Sequence, residues 1–327
     1  MTVFLTGGSG FLGRAIITEL VARGTKVRAL VRSESAAAIV RDLGAEDVLG
    51  DLDAVDVMQV GMAGCEYVIH AAAKVDLWGK REDFFHVTVQ GTRNVLTAAR
   101  DAGVGRFLHI GTEAVLAGGA PIVGADETAP YPPVPNGLYP WSKGQAERDV
   151  IAANRDGFAT ISLRPRFIWG RGDTTLLPQL VQGMQSGAWA WFGGGGNLIS
   201  TCHVRNVVEG VLLAAERGRG GEIYFLTDGT PVVFRDFVTR LVATQGVVAP
   251  ARHAPFWVAE ALAAAGEFAW QTFGLAGQPP LTRTALNLIF REVTVVDRKA
   301  RVELGYSSHV SIEQGLAELA ADHAGVR

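Results

Sequence analysis

The chain opens on a short apolar run that passes straight into a burst of glycine, and this pairing limits its fold more than any other feature. Val3-Phe4-Leu5-Thr6 leads into Gly7-Gly8-Ser9-Gly10-Phe11-Leu12-Gly13, and an amphipathic segment follows from Arg14 to Arg23. The pattern predicts strand, tight turn, helix. Glycines there let the backbone turn sharply and approach a ligand, and let the helix pack closely on the strand. The helix N-terminus then points its unpaired N–H groups and the positive end of its dipole at the space above the turn, which suits a pyrophosphate. Glycine supplies 40 of 327 residues, so the spacing of Gly8, Gly10 and Gly13 is weak evidence by itself. The strand before it and the helix after it are the context that such a motif requires.

Strand-like and helical runs alternate onward from this turn. Thr25 to Arg32 reads as a second strand, Asp47 to Leu52 as a third, Tyr67 to Ala73 as a fourth and Arg106 to Ile110 as a fifth, with a helix from Val87 to Ala102. Alternation of this kind predicts an α/β fold, a Rossmann-type doubly wound parallel sheet with its ligand at the carboxyl ends of the strands. The second strand ends in Val31-Arg32 with no acid before Glu34. An acid at that place would accept the ribose hydroxyl of NAD, whereas an arginine accommodates the 2′-phosphate of NADP. NADP(H) is therefore favoured, with NAD(H) as the other option, and Arg32 opening an ordinary solvated loop as the plainer reading. Asp51 is equally a turn residue or an acceptor for an adenine amino group. The small residues Ala71, Ala72 and Ala73 leave room for a ligand, and neighbouring His70 reads as structural.

Past the fifth strand lies Gly111-Thr112-Glu113-Ala114, then a Gly/Pro-rich loop from Gly118 to Gly137 that excludes regular helix and central strand. A helix begins with Leu138-Tyr139-Pro140-Trp141-Ser142-Lys143, where Pro140 is acceptable only in the first turn. Tyr139 and Lys143 share a helix face by their spacing. A sixth strand, Ala159 to Arg164, leads into Pro165 to Gly170, after which the alternation breaks down. A glycine run at 193–196, a helix near 203–215, a strand at Glu222 to Leu226 and a largely helical stretch from Pro255 to Phe290 follow. The expected division is a dinucleotide-binding domain over 1–170, to which 203–228 returns. Residues 171–202 and 229–327 form a smaller, mostly helical substrate domain.

The net charge of −3 and the lack of any long Lys/Arg run argue against nucleic acid. Cys65 and Cys202 lie far apart without metal-ligand spacing, so no metal site is expected. No stretch is apolar for long enough to be an integral membrane segment, and a strand starting almost at Met1 makes the cytoplasm the expected location.

A free tyrosine titrates near 10 and is a poor base at neutral pH, but a neighbouring ammonium and an oxidised nicotinamide would favour its phenolate. Tyr139 could then exchange a proton with an alcohol or ketone, with the Thr112 hydroxyl holding the same substrate oxygen.

With these pieces in place, the whole chain resembles the extended short-chain dehydrogenases/reductases. Thr6 to Gly13 is similar to the family's T-G-x-x-G-x-x-G turn, and Tyr139-Pro140-Trp141-Ser142-Lys143 to its Y-x-x-x-K. The resemblance places the catalytic roles on Thr112, Tyr139 and Lys143. It places cofactor contacts on Thr6, Gly7, Gly10, Phe11, Leu12, Gly13, Asp51, Leu52, Ala71, Ala72, Ala73, Tyr139, Lys143, Pro165 and Ile168, to which the strand-end argument adds Arg32. Glu127 to Tyr131, Ile168 to Asp173 and Leu304-Gly305-Tyr306 resemble the 3-beta-hydroxysteroid dehydrogenase branch. Ala73 to Gly79 looks like the 2-alkyl-3-oxoalkanoate reductases. Thr88 stands where the family has an asparagine that helps order its proton relay. The implied activity is reversible hydride transfer between a secondary alcohol and a ketone on a bulky hydrophobic substrate, a 3-beta-hydroxysteroid or a 3-keto/3-hydroxy acyl compound. The family also implies a homodimer. Two alternatives stay open: a nucleotide-sugar epimerase or dehydratase using Arg166, Arg171 and Arg205 on a diphosphate, and a non-catalytic NADP(H) sensor.

Overall fold

The computed structural model describes residues 1–325. Its first part runs β1 (Thr2–Thr6), α1 (Phe11–Ala22), β2 (Lys26–Val31), α2 (Glu34–Asp42), β3 (Glu46–Leu49), α3 (Val55–Met62) and β4 (Tyr67–His70). Next come α4 (Arg81–Phe84), α5 (Gly91–Asp101), β5 (Arg106–Ile110), β6 (Ile122–Ala125), α6 (Leu138–Ala152) and β7 (Ala159–Pro165). The remainder holds β8 (Ile168–Trp169), α7 (Leu176–Gln185), β9 (Trp191–Phe192), β10 (Leu198–Ile199), β11 (Cys202–His203), α8 (Val204–Arg217) and β12 (Ile223–Leu226). It closes with β13 (Val232–Val233), α9 (Phe234–Ala243), β14 (His253–Ala254), α10 (Phe256–Phe273), α11 (Arg283–Ile289), β15 (Val293–Val295), α12 (Arg298–Leu304) and α13 (Ile312–Gly325).

Seven strands form one parallel sheet in the order β3-β2-β1-β4-β5-β7-β12. The strand order reverses between β1 and β4, and in such sheets a ligand binds in the crevice outside that point. The apolar strands are covered on both faces, as a parallel sheet requires. One layer is anchored by Ile16, Ile17 and Leu20 of α1 with Val207 and Val211 of α8, the other by Met58, Met62, Val95 and Leu96 of α3 and α5.

Three local features depart from the sequence pattern. The helix expected from Val87 begins at Arg81 and passes through a π-helical turn at Phe85–Gln90 before α5. Buried Thr88 sits in that turn, accepting from the Lys74 amide at 3.0 Å while its carbonyl takes the Thr92 hydroxyl at 2.6 Å. The Gly/Pro-rich loop contributes β6, at the edge of a second, four-stranded sheet ordered β13-β10-β15-β6, so strand pairing enters a region read as mostly helical. Finally, Ala300, Leu304 and Tyr306, which the expected division places in the substrate domain with the rest of 229–327, pack into the core beside α8 and the large sheet.

A second core joins Trp169, Trp191, Phe234, Phe237 and Phe290 in edge-to-face contacts. Trp257, Phe268 and Phe273 of α10 stay outside it, each at least 66% exposed, while Ala259 and Ala263 face inward. Among the described residues no helix is long and apolar enough to cross a membrane.

Candidate functional site

Gly10 caps α1 without a side-chain hydrogen bond, and the first turn of α1 holds no acid, so its N–H groups and dipole face the crevice unopposed. Gly7 has φ 75°, and a Cβ there would stand 2.9 Å from the Ala72 nitrogen. A Cβ on Gly13 would stand 2.1 Å from the Gly7 carbonyl oxygen. Side chains are excluded at both points, which leaves the backbone cradle a pyrophosphate needs. Phe11, Leu12 and Gly13 form the first turn over this cradle, and Ala71, Ala72 and Ala73 line its β4 side. Thr6 ties the two strands together: its hydroxyl accepts from the Ala72 amide at 3.2 Å and meets His70 Nδ1 at 2.7 Å. His70 Nε2 bonds Thr92 Oγ1 at 2.9 Å, and burial pushes this histidine down to about 3. It is a neutral structural residue.

At the adenosine side Arg32 is exposed just beyond β2 and pairs with no carboxylate among the described residues, whereas Glu34 is taken by Arg41. Asp51 is exposed and accepts from the Asp53 amide at 2.9 Å, in a turn. The Leu52 side chain fills the space beside Gly91.

The other end of the crevice is built from α6 and the loops after β5 and β7. Gly137, with φ 108°, starts α6 where a Cβ would collide with Thr284, and Pro140 falls in the first turn. The helix turns Lys143, Glu147 and Val150 inward on one face. Lys143 Nζ donates to the Ile110 carbonyl at the end of β5 at 2.6 Å and stands 3.5 Å from His109 Nε2. This fixes the first turn of α6 over Thr112. Burial lowers Lys143 to about 8 against an upward pull from Glu147. Tyr139, one turn earlier, is pushed up to about 12 by burial and then by Glu113, against the Thr112 hydroxyl and Arg166. The sequence reading assigns the lowering of this phenol to two charges, a neighbouring ammonium and an oxidised nicotinamide, and only the first can be compared with these contacts. Lys143 is turned to β5 instead, and the environment holds Tyr139 as the neutral acid.

Glu113 is the residue that pattern reading missed. It is 3% exposed, accepts a hydrogen bond from the Thr112 hydroxyl on Oε2 at 2.9 Å, and holds Arg166 Nε 3.2 Å from Oε1. Arg166, equally buried, also donates to the Leu288 carbonyl at 2.5 Å. Only its place directly after Thr112 at a strand end could have pointed to it. Pro165 ends β7, Ile168 pairs with Cys202 of β11, and Phe167 between them holds φ 48°, a costly conformation for a bulky residue. Thr88 bonds the chain after β4 and not Lys143. Of the arginines considered for a diphosphate, Arg166 faces Glu113, Arg171 faces Asp322 at 2.8 Å and Arg205 faces Glu318 at 2.8 Å.

A doubly wound sheet whose switch point carries a glycine cradle, with a phenol and a hydroxyl at its far end, defines an NAD(P)-dependent oxidoreductase. Residues 4–255 match the profile of the 3-beta hydroxysteroid dehydrogenase/isomerase family, and the chain belongs to it. It is 50% identical to a 4-hydroxy-2-methyl-3-oxo-4-farnesyl-3,4-dihydroquinoline-1-oxide ketoreductase of Stigmatella aurantiaca, over 98% of this chain and 96% of that one. It is 35% identical to a 2-alkyl-3-oxoalkanoate reductase of Stenotrophomonas maltophilia, over 99% and 100%. Its fold matches a dTDP-glucose 4,6-dehydratase of Streptomyces venezuelae solved with NAD, with a TM-score of 0.78, 24% identity and coverage of 98% and 96%.

Proposed function

We propose that this protein reduces a ketone on a bulky, apolar molecule, and oxidises the corresponding secondary alcohol in reverse, with NADP(H) preferred. One observation carries the reading: Lys143 reaches from α6 to the end of β5 and so fixes the turn bearing Tyr139 over Thr112, at the carboxyl edge of the sheet. Bound nicotinamide supplies or accepts the hydride. Tyr139, held protonated, donates to the ketone oxygen as the carbonyl becomes an alcohol. The Thr112 hydroxyl donates its one proton to Glu113 and holds the same oxygen by turning that proton from the carboxylate to the ketone. Lys143, anchored on β5, sets a positive charge one helical turn from the phenol.

The NADP(H) preference rests on Arg32 standing free of any described carboxylate at the end of β2. An apolar substrate accords with the aromatic second core and with the farnesyl group in the printed name of one relative, while the other is named for an alkyl-substituted oxo acid. In this reading the residues after Gly170 that leave the large sheet form the substrate domain. A nucleotide-sugar reaction is disfavoured because Arg166, Arg171 and Arg205 each already face a carboxylate. A sensor would have no use for the acid–hydroxyl pair.

The test is NADPH-dependent turnover of a panel of apolar ketones, 3-beta-hydroxysteroids and UDP-sugars, repeated with Tyr139→Phe. Loss of the acid is expected to lower kcat by about 10²–10⁴-fold, with NADPH still quenching the protein's fluorescence. Unchanged turnover would refute the role of Tyr139, and turnover of UDP-sugars alone would refute the substrate class.

A further inference from the structure

We infer that the site accepts ketones that are uncharged beside the carbonyl and rejects those bearing a carboxylate there, because Glu113 occupies the position from which a substrate carboxylate would be read. This rests on the reading that Thr112 and Tyr139 hold the reacting oxygen. The Glu113 carboxylate lies 2.9 Å from the Thr112 hydroxyl, so a group attached next to the reacting carbon comes within reach of a fixed negative charge. A buried carboxylate needs a cation or several donors of its own. Among the described residues three cations are buried, and each already has a partner, although Arg164 Nη1 and Arg166 Nε make no hydrogen bond. Arg164 is held by both oxygens of Glu147 at 2.6–3.1 Å. Arg166 is neutralised by Glu113 and donates to the Leu288 carbonyl. Lys143 is bound to the Ile110 carbonyl and approaches His109. The Glu113–Arg166 pair therefore adds polarity to the site without net charge, and its negative end faces the hydroxyl that would hold the substrate. An arginine that could have recognised an acid is already occupied by one from its own chain.

The experiment compares a long-chain 2-alkyl-3-oxo acid, freshly prepared, with its methyl ester, in wild type and in Glu113→Gln. In wild type the ester is expected to show kcat/KM at least about tenfold above the acid, a difference of about 1.4 kcal/mol. Glu113→Gln keeps the shape and removes the charge, and the ester-to-acid ratio should fall several-fold whatever happens to the absolute rate. A merely structural glutamate would slow both substrates together. Equal use of acid and ester by the wild type, or a ratio unmoved in Glu113→Gln, overturns the inference while leaving ketone reduction intact. If neither compound turns over, quenching of tryptophan fluorescence in the NADPH-loaded wild type decides. Binding of the ester and not the acid upholds the charge filter and refutes ketone reduction here. Equal binding, or binding of neither, overturns the filter as well.

Discussion

Replacing Glu147 should be among the most damaging single changes this chain can suffer, and the structure sets the size of the effect. The Glu147 and Arg164 side chains are 0% and 1% exposed. The carboxylate accepts two bonds from Arg164 Nε and one from a terminal guanidinium nitrogen. It also takes the Tyr131 hydroxyl at 2.7 Å and the Ser162 hydroxyl at 2.6 Å. Breaking a buried ion pair by removing one partner costs about 3–5 kcal/mol, because the other charge is left stranded. Two orphaned hydroxyls add about 1 kcal/mol each. Glu147→Ala is thus expected to lose about 5–7 kcal/mol, comparable to the whole stability of an ordinary domain at about 5–15 kcal/mol. Glu147→Gln and Arg164→Met, which keep more of the packing, should each cost about 3 kcal/mol. The double variant Glu147→Gln, Arg164→Met removes both charges and should be more stable than the sum of its parts by about 3 kcal/mol. Urea unfolding followed by tryptophan fluorescence and circular dichroism gives the coupling energy directly. Single and double effects that add within about 0.5 kcal/mol would refute the argument. The cycle bears on the site as well, since Glu147 supports the charge of Lys143 one turn away.

Gly13→Val should abolish NADPH binding, because even a Cβ would sit 2.1 Å from the Gly7 carbonyl oxygen; a normal fluorescence titration would show that the cradle is not where the cofactor rests. Arg32→Ala should weaken NADPH by about tenfold, one charge-assisted contact's worth, and leave NADH nearly unaffected; equal losses for both would remove Arg32 from the 2′-phosphate. With Tyr139 held up near 12, its acid form prevails through neutral pH. Reduction should therefore persist until Lys143, lowered to about 8, loses its charge, while oxidation, which needs the phenolate, should climb with pH through neutrality. An oxidation rate already level below about pH 7 would mean that the site acidifies the phenol.

The glycine turn, the alternation of strands and helices along the chain, the position of Thr112 after the fifth strand and the helical spacing of Tyr139 and Lys143 were legible because each is a local pattern. A strand's apolar run, a turn's glycines and a four-residue helical spacing are all written in consecutive residues. Glu113, Arg166, Glu147 and His109 were not legible in that way. Their significance comes from contacts made across the fold, such as Arg166 after β7 reaching Glu113 after β5. The same limit explains the Tyr139 phenol. Its spacing from Lys143 suggests an ammonium at its side, but the ammonium is drawn to the Ile110 carbonyl, a partner 33 residues away in sequence. The second sheet escaped notice because β10, β13 and β15 are two or three residues long, too short to show an alternating pattern.

The π turn at Phe85–Gln90 gives this architecture a point of adjustment. A π turn holds roughly one residue more than an α turn, and each residue added to or taken from a helix rotates what lies beyond it by about 100°. Deleting one residue there would let α4 and α5 join as one regular helix. Val95, Leu96, Ala98 and Ala99 of α5 could keep their places in the core while α4 swung to a new bearing. The swing would carry away Arg81, whose guanidinium stacks 4.0 Å from the Trp141 ring. A single-codon insertion or deletion there reaches further than that stacking contact, because it would also displace the buried Phe84 of α4 and the Thr88 bond to the Lys74 amide beside the cradle.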